Sequence, residues 1–240
     1  MIKNVNRKFI TTIILYAAYF VVGGGLLLYG YLKTGGGNLV VTGIFVFFLI
    51  TIFVTAWVTN RLNYISNLSY IIRISDNSGE PLKISRVNNT KIFYQYLEAN
   101  EYIKYKNDGS HYLFYRVKKD AIQRIFSNYM LEVVVYINKD STDFYIDEVN
   151  DEINTIKEKY LKDKKVINRL FITQYKEIDD LDEITKKSIS EIVFIRTKHH
   201  IISTINVGIF DDELAVMLYT DTYRPSLYYK YHIDQIKDML

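Results

Sequence analysis

The chain contains no cysteine and only two prolines among its 240 residues. Without cysteine it has no disulfide framework, no thiolate nucleophile and no cysteine-based metal site, a composition that fits the cytoplasm. The common catalytic signatures G-x-x-x-x-G-K-[ST], G-x-G-x-x-G, G-x-S-x-G and H-E-x-x-H are also missing. These absences argue against the familiar phosphate-loop, dinucleotide-binding, esterase and zinc-protease classes.

Acidic residues are absent from the first 59 residues, which contain four basic ones. From residue 60 onward the chain contains the other 26 basic residues and all 27 acidic residues, so this larger part of the chain is about neutral. The net charge of +3 therefore comes from the N-terminal part. It is not evidence for a nucleic-acid partner, which a basic domain would indicate.

Two long apolar runs, residues 9–32 and 39–58, contain no Asp, Glu, Lys, Arg or His. A helix needs about 20 apolar residues to cross a hydrocarbon core roughly 30 Å thick, so both runs are long enough. A cleaved signal peptide has a shorter apolar region of about 7–15 residues. A hairpin in a soluble core would normally carry a polar stripe. Residues 1–60 are therefore predicted to form a transmembrane helical hairpin.

Basic residues flank the outer ends of the hairpin, whereas its connecting link contains only Lys33. The flanking residues are Lys3, Arg7, Lys8, Arg61 and Arg73. The positive-inside rule then predicts a multi-pass cell-membrane protein with both termini in the cytoplasm. Because the spans contain no charge and no evident pair of polar residues, a channel or transporter is not expected.

A juxtamembrane helix and a hinge are predicted between the hairpin and the rest of the chain, over residues 61–81. Apolar residues at 62, 65, 68 and 72 have helical spacing. This helix either extends the second span or lies in the headgroup plane. The polar segment 75–81 contains Gly79 and ends at Pro81, which is typical of a turn.

Residues 82–118 are predicted to form a helix-plus-hairpin subdomain within a cytoplasmic domain that spans residues 82–240. A short strand is expected at 82–87, a helix at 90–100 and a hairpin around 107–110. The helix and the basic, aromatic hairpin resemble the recognition helix and wing of winged-helix DNA-binding domains. The two preceding helices of that fold are not evident, and the neutral charge argues against DNA binding.

Strands and helices alternate from residue 119 onward. Residues 131–137 predict a strand buried on both faces, and apolar residues at 149, 153, 156 and 160 predict an amphipathic helix. Further strands are expected at 166–174, 192–196, 201–209 and 214–220, with the last two antiparallel. Further helices are expected around 122–129 and 181–189, and from Pro225 onward with Leu227 facing inward. The fold class is α/β, or α+β, with a mixed β-sheet.

The loop at residues 220–226 is the leading candidate for a ligand site because it joins the end of a strand to the start of a helix. Helix N–H groups and an arginine at such a position can hold an anion. A capping turn explains the same residues, with Asp221 or Thr222 accepting backbone N–H groups and Arg224 paired with an acid. The candidate ligand-binding residues are Asp221, Thr222, Arg224 and Ser226.

A second wall of this site is expected after the strand at 131–137, where Asn138 is followed by Lys139 and Asp140. No metal site is predicted, because the adjacent His199 and His200 would point to opposite faces of a strand. The acids at 211–213 are typical of a solvated turn. No cofactor is predicted, and the sequence identifies no catalytic residue.

The sequence thus predicts a membrane-anchored cytoplasmic binding, sensing or scaffolding module. One alternative is a membrane-associated enzyme that acts on an anionic or phosphorylated small molecule through the 220–226 loop. Another is a two-helix membrane effector that oligomerises when its cytoplasmic domain is activated. The expected partners are the lipid bilayer and either a second copy of the chain or a protein bound by the cytoplasmic domain.

Overall fold

The computed structural model describes residues 2–240 except 77–79, 88, 108–109, 123–127, 139–143, 198–199, 211–212 and 218–222. The chain divides into two compact units, Met1–Ile72 and Arg73–Leu240. The first is called the hairpin unit and the second the α/β unit.

The hairpin unit consists of two helices, α1 (Ile2–Thr34) and α2 (Asn38–Ser75). Both are long and apolar enough to cross a membrane. Their link includes Gly35 and Gly36, which have positive φ angles of 65° and 86° that glycine adopts without strain. Helix α2 continues without a break beyond residue 58, so residues 61–74 extend the second apolar run instead of forming a separate helix.

Polar pairs join the two helices of the hairpin unit. The Tyr16 and Thr55 hydroxyls lie 2.8 Å apart, and those of Tyr19 and Thr51 lie 3.0 Å apart. The expectation that the apolar runs lack paired polar residues is therefore wrong. The partners were missed because they lie 39 and 32 positions apart in the chain.

One mixed sheet of eight strands forms the centre of the α/β unit, which confirms the predicted sheet type. Its order is β1-β8-β7-β5-β4-β3-β2, and β6 pairs with β7 beside this path. Strands β4, β5 and β7 are parallel, and the remaining pairs are antiparallel. The strands are β1 (Leu82–Lys83), β2 (Ile103–Asn107), β3 (His111–Lys119), β4 (Tyr129–Ile137), β5 (Ile167–Ile178), β6 (Val193–Arg196), β7 (Ile201–Phe210) and β8 (Leu214–Val216).

Within the described residues, four helices cover the two faces of this sheet: α3 (Thr90–Ala99), α4 (Asp147–Lys162), α5 (Glu183–Ser190) and α6 (Leu227–Met239). The residues of β5 alternate between the faces. Tyr175 contacts Phe93 of α3 and Met239 of α6. On the other face, Leu170 and Ile172 share a buried cluster with residues of α4 and α5. We call these the α3/α6 face and the α4/α5 face.

Local sequence explains helix α4 well. Val149, Ile153 and Ile156 are buried, and Asp147 and Glu148 occupy the first turn, as predicted. Acidic residues at this position interact favourably with the positive end of the helix dipole.

Other local predictions are wrong. A helix is expected at 122–129, but Tyr129 is the first residue of strand β4. Residues 123–127 of this expected helix lie outside the described residues. Strand β1 is limited to Leu82–Lys83 instead of reaching residue 87. The segment 82–118 contributes β1, β2 and most of β3 to the common sheet, where β1 and β2 are the edge strands.

Candidate functional site

The predicted site at residues 220–226 is mainly a helix cap where the structure describes it. The Ser226 hydroxyl accepts a hydrogen bond from the Tyr229 backbone N–H at 3.1 Å, so Ser226 is the N-cap of α6. Pro225 consequently precedes the cap instead of occupying the first helical position. Leu227, expected to face inward, is 69% exposed. Asp221 and Thr222 lie outside the described residues.

The described ends of the two predicted walls lie near opposite ends of the parallel strands. Arg196 donates a hydrogen bond to the Pro225 carbonyl at 3.3 Å, and Arg196 pairs with Ile201 at the start of β7. This places the end of the loop, between Arg224 and Ser226, near the amino end of β7. Asn138 follows the carboxyl end of β4, which runs parallel to β5 and hence to β7. Lys139 and Asp140 themselves are not among the described residues.

A groove of about 330 Å³ lies at the carboxyl end of β5, beside the first turn of α5. Ligands of α/β proteins commonly bind at the carboxyl edge of parallel strands. One side of this carboxyl-edge groove is formed by Phe144 and another by Ser188. Its charged lining residues are Lys176, Glu177, Asp179, Asp180 and Asp182.

Two buried amide side chains hold the sides of the groove. Gln174 and Asn206 are register partners on β5 and β7. The Gln174 amide donates to the Phe144 carbonyl at 2.7 Å, and the Asn206 amide donates to the Ser188 and Glu191 carbonyls at 3.0 Å each. Because each amide donates to the backbone of a groove wall, the sheet beneath positions both walls.

The lining of the groove is predominantly anionic. Four of the five charged residues named above are carboxylic acids. Asp182 caps α5, and hydrogen bonds from Thr185 lower the pKa of Asp182. Glu177 accepts a hydrogen bond from the Tyr136 hydroxyl at 2.7 Å. The Lys176 ammonium lies 5.9 Å from the Phe144 ring centroid. Among the described lining residues the carboxylates outnumber the ammonium, so the groove suits a cationic ligand.

The buried Glu132 carboxylate on β4 is the centre of an ionic network on the α3/α6 face. It forms ion pairs with Arg116 at 2.7 Å and Lys118 at 2.9 Å, and it accepts hydrogen bonds from Tyr102 and Tyr231. Burial raises the pKa of Glu132, but the Lys118 and Arg116 charges and the Tyr231 hydrogen bond outweigh burial, so the pKa is lowered. Glu132 is therefore ionised at neutral pH.

Helix α6 contributes two further polar contacts to the same face. The Tyr228 hydroxyl donates to Asp120 at 2.5 Å. His232 lies between the Thr173 and Ser203 hydroxyls, at 3.0 and 2.8 Å. Burial lowers the pKa of His232 to about 3, so its imidazole is neutral in the folded protein.

The second buried histidine, His111, is also engaged through both ring nitrogens. Its Nδ1 lies 2.9 Å from the Ser110 hydroxyl, and its Nε2 lies 2.9 Å from a Glu152 carboxylate oxygen. Over the described part of the chain, no group of three or more acidic or histidine residues could hold a metal ion.

Sequence reasoning missed both the network and the groove. The available signal for the network was Glu132 itself, the only charged residue in the apolar run 131–137. The available signal for the groove was the pair of amides Gln174 and Asn206, each within a β-prone run. Neither signal names its partners, because these come from strands and helices distant in the sequence.

No protein-family model matches the chain, and neither a curated protein nor a solved structure matches it.

Proposed function

We propose that this chain is a membrane-anchored binding module whose α/β unit holds a cationic partner in the carboxyl-edge groove. In this proposal the hairpin unit spans the bilayer and both termini lie in the cytoplasm. The observation that carries the binding role is the groove itself. Among its described lining residues four carboxylates outnumber one ammonium, and two buried amides fix the walls.

The state of the buried titratable groups supports binding in preference to catalysis. A general acid or base needs a pKa near the working pH and access to its substrate. The pKa of Glu132 is lowered, and that of His232 falls to about 3. Both ring nitrogens of His111 and His232 already have partners. These groups stabilise the unit and do not line the groove.

The partner is proposed to be a basic protein segment. A volume of about 330 Å³ falls at the lower end of the range of ligand pockets, roughly 300–1,000 Å³. It accommodates one or two long side chains. Lysine and arginine side chains match the negative charge of the groove, because their cationic groups pair with carboxylates.

The test uses the full chain in phosphatidylcholine nanodiscs and a fluorescent oligolysine peptide, with affinity measured by anisotropy. The double variant Asp179→Asn/Asp180→Asn removes two groove charges. At the strength of exposed ion pairs, it should weaken binding about fivefold. The control Asp151→Asn/Glu158→Gln removes two exposed charges from α4, outside the groove.

The control variant should bind the peptide nearly as tightly as the unaltered chain. Equal losses in the two double variants would show that the peptide responds to overall charge. That result would overturn the groove as the binding site.

A further inference from the structure

A cleft of about 540 Å³ lies between α1 and α2, within the hairpin unit. Its walls are the first part of α1 and the middle of α2. Arg7, Lys8 and Arg61 line one end of it. We call it the hairpin cleft. It is separate from the carboxyl-edge groove, which belongs to the α/β unit.

The charges at the basic end of the hairpin cleft have no carboxylate within their own unit. The sequence contains no Asp or Glu before Asp76. The three basic residues therefore concentrate positive charge where only a polar solvent or an anion from outside the unit can compensate it. In a membrane interface, an anionic group with hydrogen-bond acceptors is the favourable counterpart.

The arginine geometry at this end suits a phosphate. The Arg61 guanidinium lies over the Trp57 ring, 5.1 Å from the centroid. A guanidinium has five N–H donors in a planar fork that matches the oxygens of a phosphate. Trp57 itself is 57% exposed, and tryptophan is enriched at membrane interfaces at headgroup level.

The other end of the hairpin cleft is apolar. Leu15 of α1 and Val54 of α2 line it, and Val58, about one helical turn from Arg61, lies between the two ends. Tyr19, also in the lining, lies 12 positions after Arg7, a rise of about 18 Å along a helix at 1.5 Å per residue. That length exceeds half of a hydrocarbon core roughly 30 Å thick. The lining thus changes from cationic to apolar along the membrane normal of a spanning hairpin.

We infer that the hairpin cleft binds one anionic phospholipid, with its phosphate at Arg7, Lys8 and Arg61 and an acyl chain along Leu15, Val54 and Val58. Charge and polarity both match, because a phospholipid also changes from anionic to apolar along its length. Basic pockets between transmembrane helices on the cytoplasmic side are known to accept such headgroups. The inference rests on the proposed function only in requiring the hairpin to span the bilayer.

The test measures binding of phosphatidylglycerol with an acyl-chain fluorophore to the full chain in a neutral detergent. The variant Arg7→Gln/Arg61→Gln should bind this lipid about thirtyfold more weakly. The control Lys3→Gln/Lys33→Gln removes the same charge from positions outside the cleft lining and should retain most of the affinity. Circular dichroism verifies that both variants keep their helices.

A third variant, Val54→Trp, fills the apolar end without changing charge and should also reduce lipid binding. Unlabelled phosphatidylglycerol should compete, whereas phosphatidylcholine and soluble glycerol phosphate should compete poorly. Equal losses in the two charge variants, or unaltered binding by Val54→Trp, would overturn the inference. Equal competition by glycerol phosphate would do the same, since it would assign the cleft to a free phosphate.

Failure of the membrane anchor has a different signature. If the chain does not float with phosphatidylcholine vesicles, both the anchor and the lipid site are wrong. If it floats but shows no preference for phosphatidylglycerol, only the lipid site is wrong.

Discussion

The Tyr231 hydroxyl on helix α6 donates a hydrogen bond to the Glu132 carboxylate on strand β4. The two residues are 99 positions apart in the chain. Glu132 is 2% exposed and remains ionised because Arg116 and Lys118 pair with it. Helix α6 is thereby attached to the sheet through a charged group. The contribution of this contact to the free energy of unfolding can be measured by substitution and by change of pH.

Replacement of Tyr231 by phenylalanine should destabilise the α/β unit by about 2 kcal/mol. The change keeps the ring and removes one hydrogen bond to a buried charge, and such bonds contribute about 1.5–3 kcal/mol. Urea unfolding of the full chain in detergent, followed by tyrosine near-ultraviolet circular dichroism, gives the free energy. Tyr105→Phe, at a ring that is 39% exposed, is the control. Equal effects of the two changes would contradict the assigned role of Tyr231.

Acidification should destabilise the α/β unit through His232 before it affects the carboxylates. The pKa of His232 is about 3 in the folded state and 6.5 in a model peptide. Below 6.5 the unfolded chain takes up a proton that the folded chain does not, so stability falls as pH falls. From about pH 8 to about pH 5 the loss from this group is about 2 kcal/mol. Glu132 has a lowered pKa and contributes only below 4.5.

The variant His232→Gln lacks this titration, so its free energy of unfolding should change less over the same pH range. Its absolute stability is not the readout, because the substitution also alters contacts with Thr173 and Ser203. Parallel pH profiles for the variant and the unaltered chain would contradict a buried neutral histidine.

Gly23 should be essential for close approach of the helices in the hairpin unit. A methyl group added at Gly23 would overlap the Phe47 ring, which stacks against Tyr19 at a centroid distance of 5.3 Å. Gly24 has open space around the same position. Gly23→Leu should therefore separate the helices, whereas Gly24→Leu should not.

Cysteine crosslinking can measure this separation because the chain has no cysteine of its own. Val5 and Ile65 pack in one buried cluster, so cysteines at these positions report the approach of the two helices. Gly23→Leu should lower the crosslinking yield in this background. An undiminished yield, or an equal loss for Gly24→Leu, would show that the Gly23 contact does not set the helix separation.

Asn206 should hold helix α5 against the sheet. Asn206→Ala removes hydrogen bonds to the Ser188 and Glu191 carbonyls, and we expect a loss of about 2 kcal/mol. Amide hydrogen exchange should accelerate in residues 183–191 more than in α4. Uniform acceleration across the unit would indicate a general loss of stability instead of a loosened groove wall.

The sequence predicted elements whose determinants are local. Helix α4 could be assigned because Val149, Ile153 and Ile156 repeat at helical spacing and two acids begin the helix. Strand β4 could be assigned because residues 131–137 form a continuous β-prone run, and the hairpin of β2 and β3 because its turn is marked by glycine.

Helix α6 illustrates what local patterns cannot supply. The sequence predicts a helix start at Pro225, because proline suits a first helical position, whereas in the structure the Ser226 hydroxyl provides the cap of α6. Its inward face includes His232, Tyr228 and Tyr229 because the sheet offers polar and aromatic partners to them. Those partners become predictable only when the strand order is known.

The candidate site depends even more on strand order. Gln174 and Asn206 become neighbours only because β5 and β7 pair in parallel, with α5 and β6 between them in the chain. Conversely, the end of the 220–226 loop and Asn138 lie near opposite ends of parallel strands. This separation could not be predicted from the sequence, because it depends on how the strands pair.

The central claim, that the hairpin unit anchors the α/β unit to the cytoplasmic side of a membrane, is tested most directly by cysteine labelling in intact cells. Gly37→Cys places the only cysteine in the link, where open space surrounds the new side chain, and Lys187→Cys places it on exposed α5. An impermeant maleimide should label residue 37 in intact cells and residue 187 only after permeabilisation. Labelling of residue 187 in intact cells, or of neither residue until permeabilisation, would contradict the account.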